Sequence, residues 1–237
     1  KSTHYDNVGN IVVESVWRAV SNLARKVIPV KVTAVLDFTS NSREGNYEAK
    51  RNGYIGKNQM GKAEIGECHQ LATVTIPSLK LIPYALRLPG NYNPFSNPAE
   101  YGDRKLCGLN FNEYVAKQVV RKVHKLHPNR VFYWLMDAGF DKREFWKFLL
   151  DLGDSFLTRI DKGSECTKVI ERLIQLGSIA LKQCDGFKYH EALLETGGMK
   201  LNGVYIKPDN EKMGPYWLVT SKNISGAEMK KEYDTRS

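Results

Sequence analysis

The sequence predicts an α/β fold in which parallel and antiparallel strands share a sheet flanked by helices. Three observations carry that reading. The run Val131 to Met136 is six consecutive apolar residues and is followed by an amphipathic helix and a second strand, the order of a crossover unit whose strands are covered on both faces. Residues 71–88 hold two strand-like segments around a short turn containing Pro77, which suggests an antiparallel hairpin. Finally, Ser225-x-x-Glu228 opens a terminal helix with the reciprocal pattern of a capping box.

The elements follow in order. Val13, Val16, Trp17, Val20, Leu23 and Ala24 recur at three- and four-residue steps, so Val12 to Ala24 reads as a helix with one buried face. After Pro29, the β-branched run Val30 to Leu36 reads as a buried strand stopping at Asp37. Residues 41–68 are polar, basic and punctuated by Gly45, Gly53, Gly56, Gly61 and Gly66, as in a long exposed loop. The hairpin strands are Leu71 to Ile76 and Ile82 to Leu88, and the proline-rich stretch Pro89 to Gly108 is a loop. Val115, Val119, Val120 and Val123 make the apolar stripe of a helix over Phe111 to Leu126, whose other positions carry Lys117, Arg121, Lys122 and Lys125.

Beyond Met136, Asp141-x-x-Glu144 reads as a capping box for a helix with Phe145, Trp146, Phe148, Leu149 and Leu152 on its apolar face. Gly153 suits the left-handed position that ends it. Ser155 to Ile160 is the next strand, Lys168 to Leu176 a helix, Glu191 to Lys207 a set of short antiparallel strands, and Trp217 to Thr220 the last strand.

Composition narrows the classes. With 237 residues, 42% of them hydrophobic, the chain has material for a core and is not a disordered polymer. No apolar run approaches the roughly 18–20 residues that span a bilayer, so no membrane partner is expected. The segment Lys1 to Asn10 has no apolar signal core, and the chain reads as an excerpt of a longer protein. Cys68, Cys107, Cys166 and Cys184 are widely spaced, without a zinc pattern or a disulfide framework, which points to a reduced, cytosolic setting. The net charge of +9 is compatible with solvated faces or with a polyanionic partner.

Two carboxylates stand out. Asp37 and Asp137, one hundred positions apart, are each the first polar residue after a hydrophobic strand, where open α/β sheets aim side chains at their ligands. On neighbouring strands they could share Mg²⁺ or Mn²⁺, which prefer oxygen ligands, in the arrangement of two-metal phosphoryl transfer. Asp at a strand end is also a common turn former. Asp137 is the stronger candidate, because Asp141 supplies the expected helix cap. Elsewhere, Gly56-x-x-x-x-Gly61-Lys62 falls short of a phosphate loop, since Ala63 stands where the magnesium-binding hydroxyl belongs. Lys50, Arg51, Lys57 and Lys62, interleaved with Tyr47 and Tyr54, form a candidate nucleic-acid-contacting loop. His124 and His127 could join a basic patch with Arg121, Lys122 and Arg130, and no Gly-x-Ser-x-Gly turn supports acyl transfer.

Leu135-Met-Asp137-Ala-Gly-Phe140, followed by a helix and Phe156-Leu-Thr-Arg159, resembles the second-aspartate motif of bacterial and archaeal insertion-sequence DDE transposases. Val35-Leu-Asp37-Phe-Thr39 resembles their first, and Leu71 to Thr75 and Ile82 to Ala85 resemble the strands after it. The likeness runs roughly from Val30 to Arg236. It implies a ribonuclease-H-like fold in one catalytic domain: residues 29–160 with both aspartates, a β-strand insertion over 161–215, and a last strand and helix over 216–237. It implies metal-dependent DNA cleavage and strand transfer, with transposon ends and target DNA as partners, a homodimer on paired ends, and a cytoplasmic, nucleoid-associated location in a prokaryote. The family's third motif is Tyr-x-x-Arg-x-x-x-Glu. Tyr233-Asp-Thr-Arg236 matches its first half, with Arg on DNA phosphate, while the metal-binding Glu would fall at position 240, past Ser237. Glu228 and Glu232 are off that spacing and read as solvated or capping residues. A nuclease or resolvase on the same fold, and a remnant that only binds DNA, are the rival readings.

Overall fold

The computed structural model describes residues 31–43, 55–57, 63–65, 67–79, 81–87, 111–210 and 212–236, with positions 19, 22 and 26–30 before them. Most of the predicted first helix and the 89–108 loop lie outside the described residues. Contacts divide the chain into two compact units, Lys1–Val30 with Asp37–Arg130, and Lys31–Leu36 with Val131–Ser237.

Strand β1 (Lys31–Arg43) begins in the second unit and runs on into the first. The sequence reading ended it at Asp37. One carboxylate interrupts the hydrophobic run but not the backbone ladder, and Phe38 and Thr39 are themselves good strand formers. In the first unit, β2 (Ile55–Lys57) pairs antiparallel with β3 (Ala63–Ile65), so the expected loop contains a small two-stranded sheet. Next, β4 (Glu67–Ile76) and β5 (Leu81–Arg87) form the predicted hairpin across a 3₁₀ turn at Pro77–Leu79. Helix α1 (Phe111–Leu126) lies against both strands. Its Ala116, Val119, Val120 and Val123 are fully buried, while Arg121 and Lys125 are exposed. His127 is only 3% exposed and therefore does not contribute to a basic surface patch.

The second unit is built from β6 (Val131–Met136), α2 (Arg143–Asp151), β7 (Ser155–Ile160), α3 (Glu165–Gln175), β8 (Lys182–Cys184), β9 (Phe187–Thr196), β10 (Met199–Pro208), β11 (Tyr216–Thr220) and α4 (Gly226–Asp234). With the start of β1 its strands run in the order β1-β6-β7-β11-β10-β9-β8. The first three are parallel, with Leu36 opposite Met136 and Met136 opposite Thr158. From β7 outward every pairing is antiparallel. This is the expected ribonuclease-H-like mixed sheet flanked by helices, and the inserted strands β8–β10 extend the same sheet ahead of β11 and α4.

Strand alternation sorts the core. Tyr133 and Leu135 of β6 join Val35, Leu157, Val204, Leu218 and Met229 in a cluster that receives α4. Phe132, Trp134 and Met136 point to the other face, where Trp146 of α2 stacks on Phe156 with ring centroids 5.4 Å apart. The strand is pinned at its start by Asp154, 4% exposed, whose carboxylate accepts from the Phe132 N–H at 2.9 Å and the Trp134 indole N–H at 2.7 Å.

Helix ends show where local patterns hold. The Ser225/Glu228 capping box of α4 forms, and Gly153 after α2 adopts φ +79° as its position requires. The Asp141/Glu144 box does not form. Residues Ala138–Phe140 make a 3₁₀ turn that ends at Asp141, and α2 begins after Lys142 without a side-chain cap. The Asp141 carboxylate instead accepts from the Asp161 N–H at 3.0 Å; burial raises its pKa against that hydrogen bond. Helix α3 starts three residues earlier than its apolar pattern suggests, because the Ser164 hydroxyl accepts from the Thr167 N–H.

Candidate active site

Asp137 follows the last residue of β6, with extended backbone at φ −89°, ψ −176°. Its Oδ1 accepts from the Gly139 N–H at 2.9 Å and so caps the 3₁₀ turn, while its carbonyl accepts from the Thr158 hydroxyl at 2.9 Å. This corrects the expectation that Asp141 would leave Asp137 free of structural duty. The cap nevertheless fixes the carboxylate, whose side chain stays 41% exposed. Gly139 is part of that geometry, since a Cβ there would meet Asp137 Oδ1 at 3.0 Å.

The end of α4 comes to the same place. Tyr233 lies in the last turn of α4 and Arg236 just past its Thr235 cap. The Arg236 Nη2 lies 3.7 Å from Asp137 Oδ2, and Nη1 donates to the Tyr233 hydroxyl at 3.1 Å. Burial raises the Tyr233 pKa, which keeps the phenol a neutral hydrogen-bonding group. A cavity of about 640 Å³ opens here, lined by Asp137, Arg159, Lys162, Trp217, Tyr233 and Arg236 among others. The register that sets Met136 opposite Thr158 places Arg159 beside Asp137 on the α4 face, and its guanidinium sits 5.4 Å from the Tyr216 ring centre. Three cationic side chains and two aromatic ones around a strand-end carboxylate suit an anionic ligand better than an apolar one.

Of the predicted residues, Asp137, Tyr233 and Arg236 are therefore brought together within the second unit. Asp37 follows Leu36 as Asp137 follows Met136, and Leu36 and Met136 are register partners on adjacent parallel strands. Its carbonyl accepts from the Thr73 hydroxyl at 3.4 Å. Lys57 belongs to β2, while Lys50, Arg51 and Lys62 lie outside the described residues. Sequence reasoning did not single out Arg159, Lys162 or Trp217 for this site. For Arg159 the signal was available: a charged residue alternating with buried Leu157 next to a strand end.

The remaining acids of α4 are engaged elsewhere. Glu228 caps the helix. Glu232 accepts from the Tyr133 hydroxyl and lies 3.7 Å from Lys222 Nζ, which itself sits 3.1 Å over the Tyr133 ring. Burial, reinforced by the Glu232 hydrogen bond, raises the Tyr133 pKa far above the ordinary phenol value. Among the described residues no group of three or more His, Cys, Asp or Glu side chains is placed to hold a metal ion. Asp37 and Asp137 each offer the hard carboxylate oxygens that Mg²⁺ and Mn²⁺ prefer, but Asp37 lies within β1 and belongs to the first unit, and Asp137 faces Arg236. Cys166, the buried thiol of α3, is pushed up to about 11 by burial and neighbouring carboxylates and is no nucleophile at neutral pH.

No protein-family model matches the chain, and no curated protein matches it. The fold is compatible with the broad ribonuclease-H-like superfamily of polynucleotide-acting enzymes.

Proposed function

We propose that the chain acts on a polynucleotide through the cavity at the end of β6, and that its reaction is metal-dependent DNA cleavage and strand transfer at transposon ends. The observation that supports this best is the convergence of Asp137 with Tyr233 and Arg236, the same residues on which the transposase resemblance rests. In this reading Asp137 and Asp37 hold Mg²⁺ or Mn²⁺, which supplies charge stabilisation for phosphodiester exchange. Arg236 and Arg159 pair with phosphate oxygens, for which the guanidinium fork is suited. Tyr233 orients Arg236, and Lys50, Arg51, Lys57 and Lys62 add electrostatic affinity. DNA is the partner, engaged by a homodimer on paired ends.

A second reading is favoured by one observation: Glu228, Glu232 and Asp234 of α4 are engaged by Ser225, by Tyr133 and Lys222, and by Lys230 respectively, and among the described residues no group of three acids is placed to hold a metal. A ribonuclease-H-like nuclease, or a remnant that only binds DNA, fits that arrangement. The test is DNA cleavage in Mg²⁺ or Mn²⁺ by the chain, comparing the parent with Asp137→Ala. Loss of cleavage with DNA binding retained is expected, and joining of cleaved ends to a target plasmid marks transfer. Cleavage unchanged by Asp137→Ala refutes the assignment; cleavage without joining leaves the nuclease, and binding alone leaves the remnant.

A further inference from the structure

We infer that Glu232 is a positioning residue: held by Tyr133 and Lys222, it fixes the closing turn of α4 and so sets where Tyr233 and Arg236 meet a phosphate. The inference rests on the phosphate-pairing role proposed for Arg236. Both partners of Glu232 are themselves fixed. Tyr133 belongs to β6 and is 6% exposed within the cluster beneath α4. Burial, and then its bond to Glu232, raise its pKa, so the phenol remains a donor. Lys222 sits in the connection from β11 to α4, where its N–H donates to the Thr220 hydroxyl at 3.1 Å and its carbonyl accepts from Asn202 Nδ2 at 2.7 Å. Its Nζ then lies 3.1 Å over the Tyr133 ring and 3.7 Å from the Glu232 carboxylate. A phenol O–H and an ammonium converge on one carboxylate, and contacts to an ionised group are stronger than neutral ones.

Glu232 passes this restraint to its neighbours through the backbone. Its carbonyl accepts from the Thr235 N–H at 3.2 Å and from the Thr235 hydroxyl at 2.7 Å, and the next carbonyl, that of Tyr233, accepts from the Arg236 N–H at 3.0 Å. The turn that carries Arg236 is therefore closed on the two residues whose place the bracket sets. Helix ends fray unless such contacts hold them. At the cavity the same turn keeps Arg236 Nη1 3.1 Å from the Tyr233 hydroxyl, and fork pairing with a phosphate tolerates little misplacement of the guanidinium.

The experiment compares the intact chain with Tyr133→Phe, which keeps the ring under Lys222, with Glu232→Ala, which removes the carboxylate, and with Glu232→Gln, which keeps an acceptor oxygen for Tyr133. Amide hydrogen exchange at Thr235 and Arg236 is read by NMR. Affinity for a short DNA duplex is read by fluorescence anisotropy, for each variant alone and combined with Arg236→Gln. Tyr133→Phe and Glu232→Ala are expected to speed exchange at the closing turn about fivefold, the change one net hydrogen bond supports, with β6 and β11 amides unaffected and Glu232→Gln restoring most of the protection. Both should weaken DNA binding, by no more than Arg236→Gln does alone, and have no effect once Arg236 is replaced. Exchange at the parental rate in Tyr133→Phe overturns the inference. An equal loss of DNA affinity with and without Arg236 also overturns it, while the phosphate role of Arg236 stands. If Arg236→Gln binds DNA as the parent does, the phosphate role fails and the inference with it.

Discussion

Gly226, the first residue of α4, is where a single methyl group should be felt both in stability and at the cavity. A Cβ built there would lie 2.6 and 2.8 Å from ring carbons of Tyr189 and 2.8 Å from Val204 Cγ2. Carbon contacts rest at about 3.5–4.0 Å, so Gly226→Ala demands a displacement on the order of 1 Å. Tyr189 and Val204 are 7% and 0% exposed and belong to the cluster beneath α4. They cannot swing into solvent without opening that core. Intrinsic helix propensity pulls the other way, since Ala is favoured over Gly by up to about 1 kcal/mol. Overpacking of a close-packed core costs about 1–3 kcal/mol and outweighs it. Separation of the Gly226 N–H from the Glu191 carboxylate, now 2.9 Å apart, adds to the loss. We expect net destabilisation of about 1–2 kcal/mol, read as a lower urea midpoint at unchanged slope. Because the helix moves as a unit, the DNA affinity proposed for the Tyr233–Arg236 end should fall as well. A variant as stable as the parent, or more so, would show that propensity governs this position and that α4 is not seated by close approach.

Two further outcomes concern the second unit. Asp154→Ala leaves the buried Phe132 N–H and Trp134 indole N–H without their carboxylate, at a cost of about 1–3 kcal/mol for each orphaned donor; denaturant unfolding should show a loss of several kcal/mol, and a near-neutral result would mean that water replaces the carboxylate. Glu191 has its pKa lowered by its hydrogen bond with Lys182 and then by the Gly226 N–H. A carboxylate depressed in the folded state contributes stability that is complete above its unfolded pKa and is lost as pH falls through the folded value. Glu191→Gln should therefore narrow the gap to the parent below about pH 4.5, where the unfolded glutamate titrates; a stability difference independent of pH through the acid range would contradict this.

How much could be read from the chain depends on the range of the interaction concerned. The strand Val131–Met136, the 71–87 hairpin and the α4 cap were legible because each is encoded by residues within one element or one turn. The Asp141/Glu144 box failed because a 3₁₀ turn, favoured by Asp137 itself, pushes the helix start beyond Asp141. The end of β1 was misread because hydrophobicity reports burial, whereas strand continuity depends on backbone partners from distant segments. The convergence of Tyr233 and Arg236 on Asp137 was legible only through resemblance. Arg159 became visible once register was known, and Lys162 and Trp217 are placed by the approach of β7 and β11, which no local pattern encodes.

The two sides of the cavity differ in how firmly they are mounted. Asp137 extends from a strand flanked by parallel neighbours and packed on both faces, so its carboxylate moves only if the middle of the sheet moves. Tyr233 and Arg236 ride on the closing turn of a helix whose opposite end is clamped by Gly226, Glu191 and the serine cap. The chain thus sets an anvil opposite an adjustable arm, and substitutions along α4 can retune what the arm grips while the anvil keeps its place.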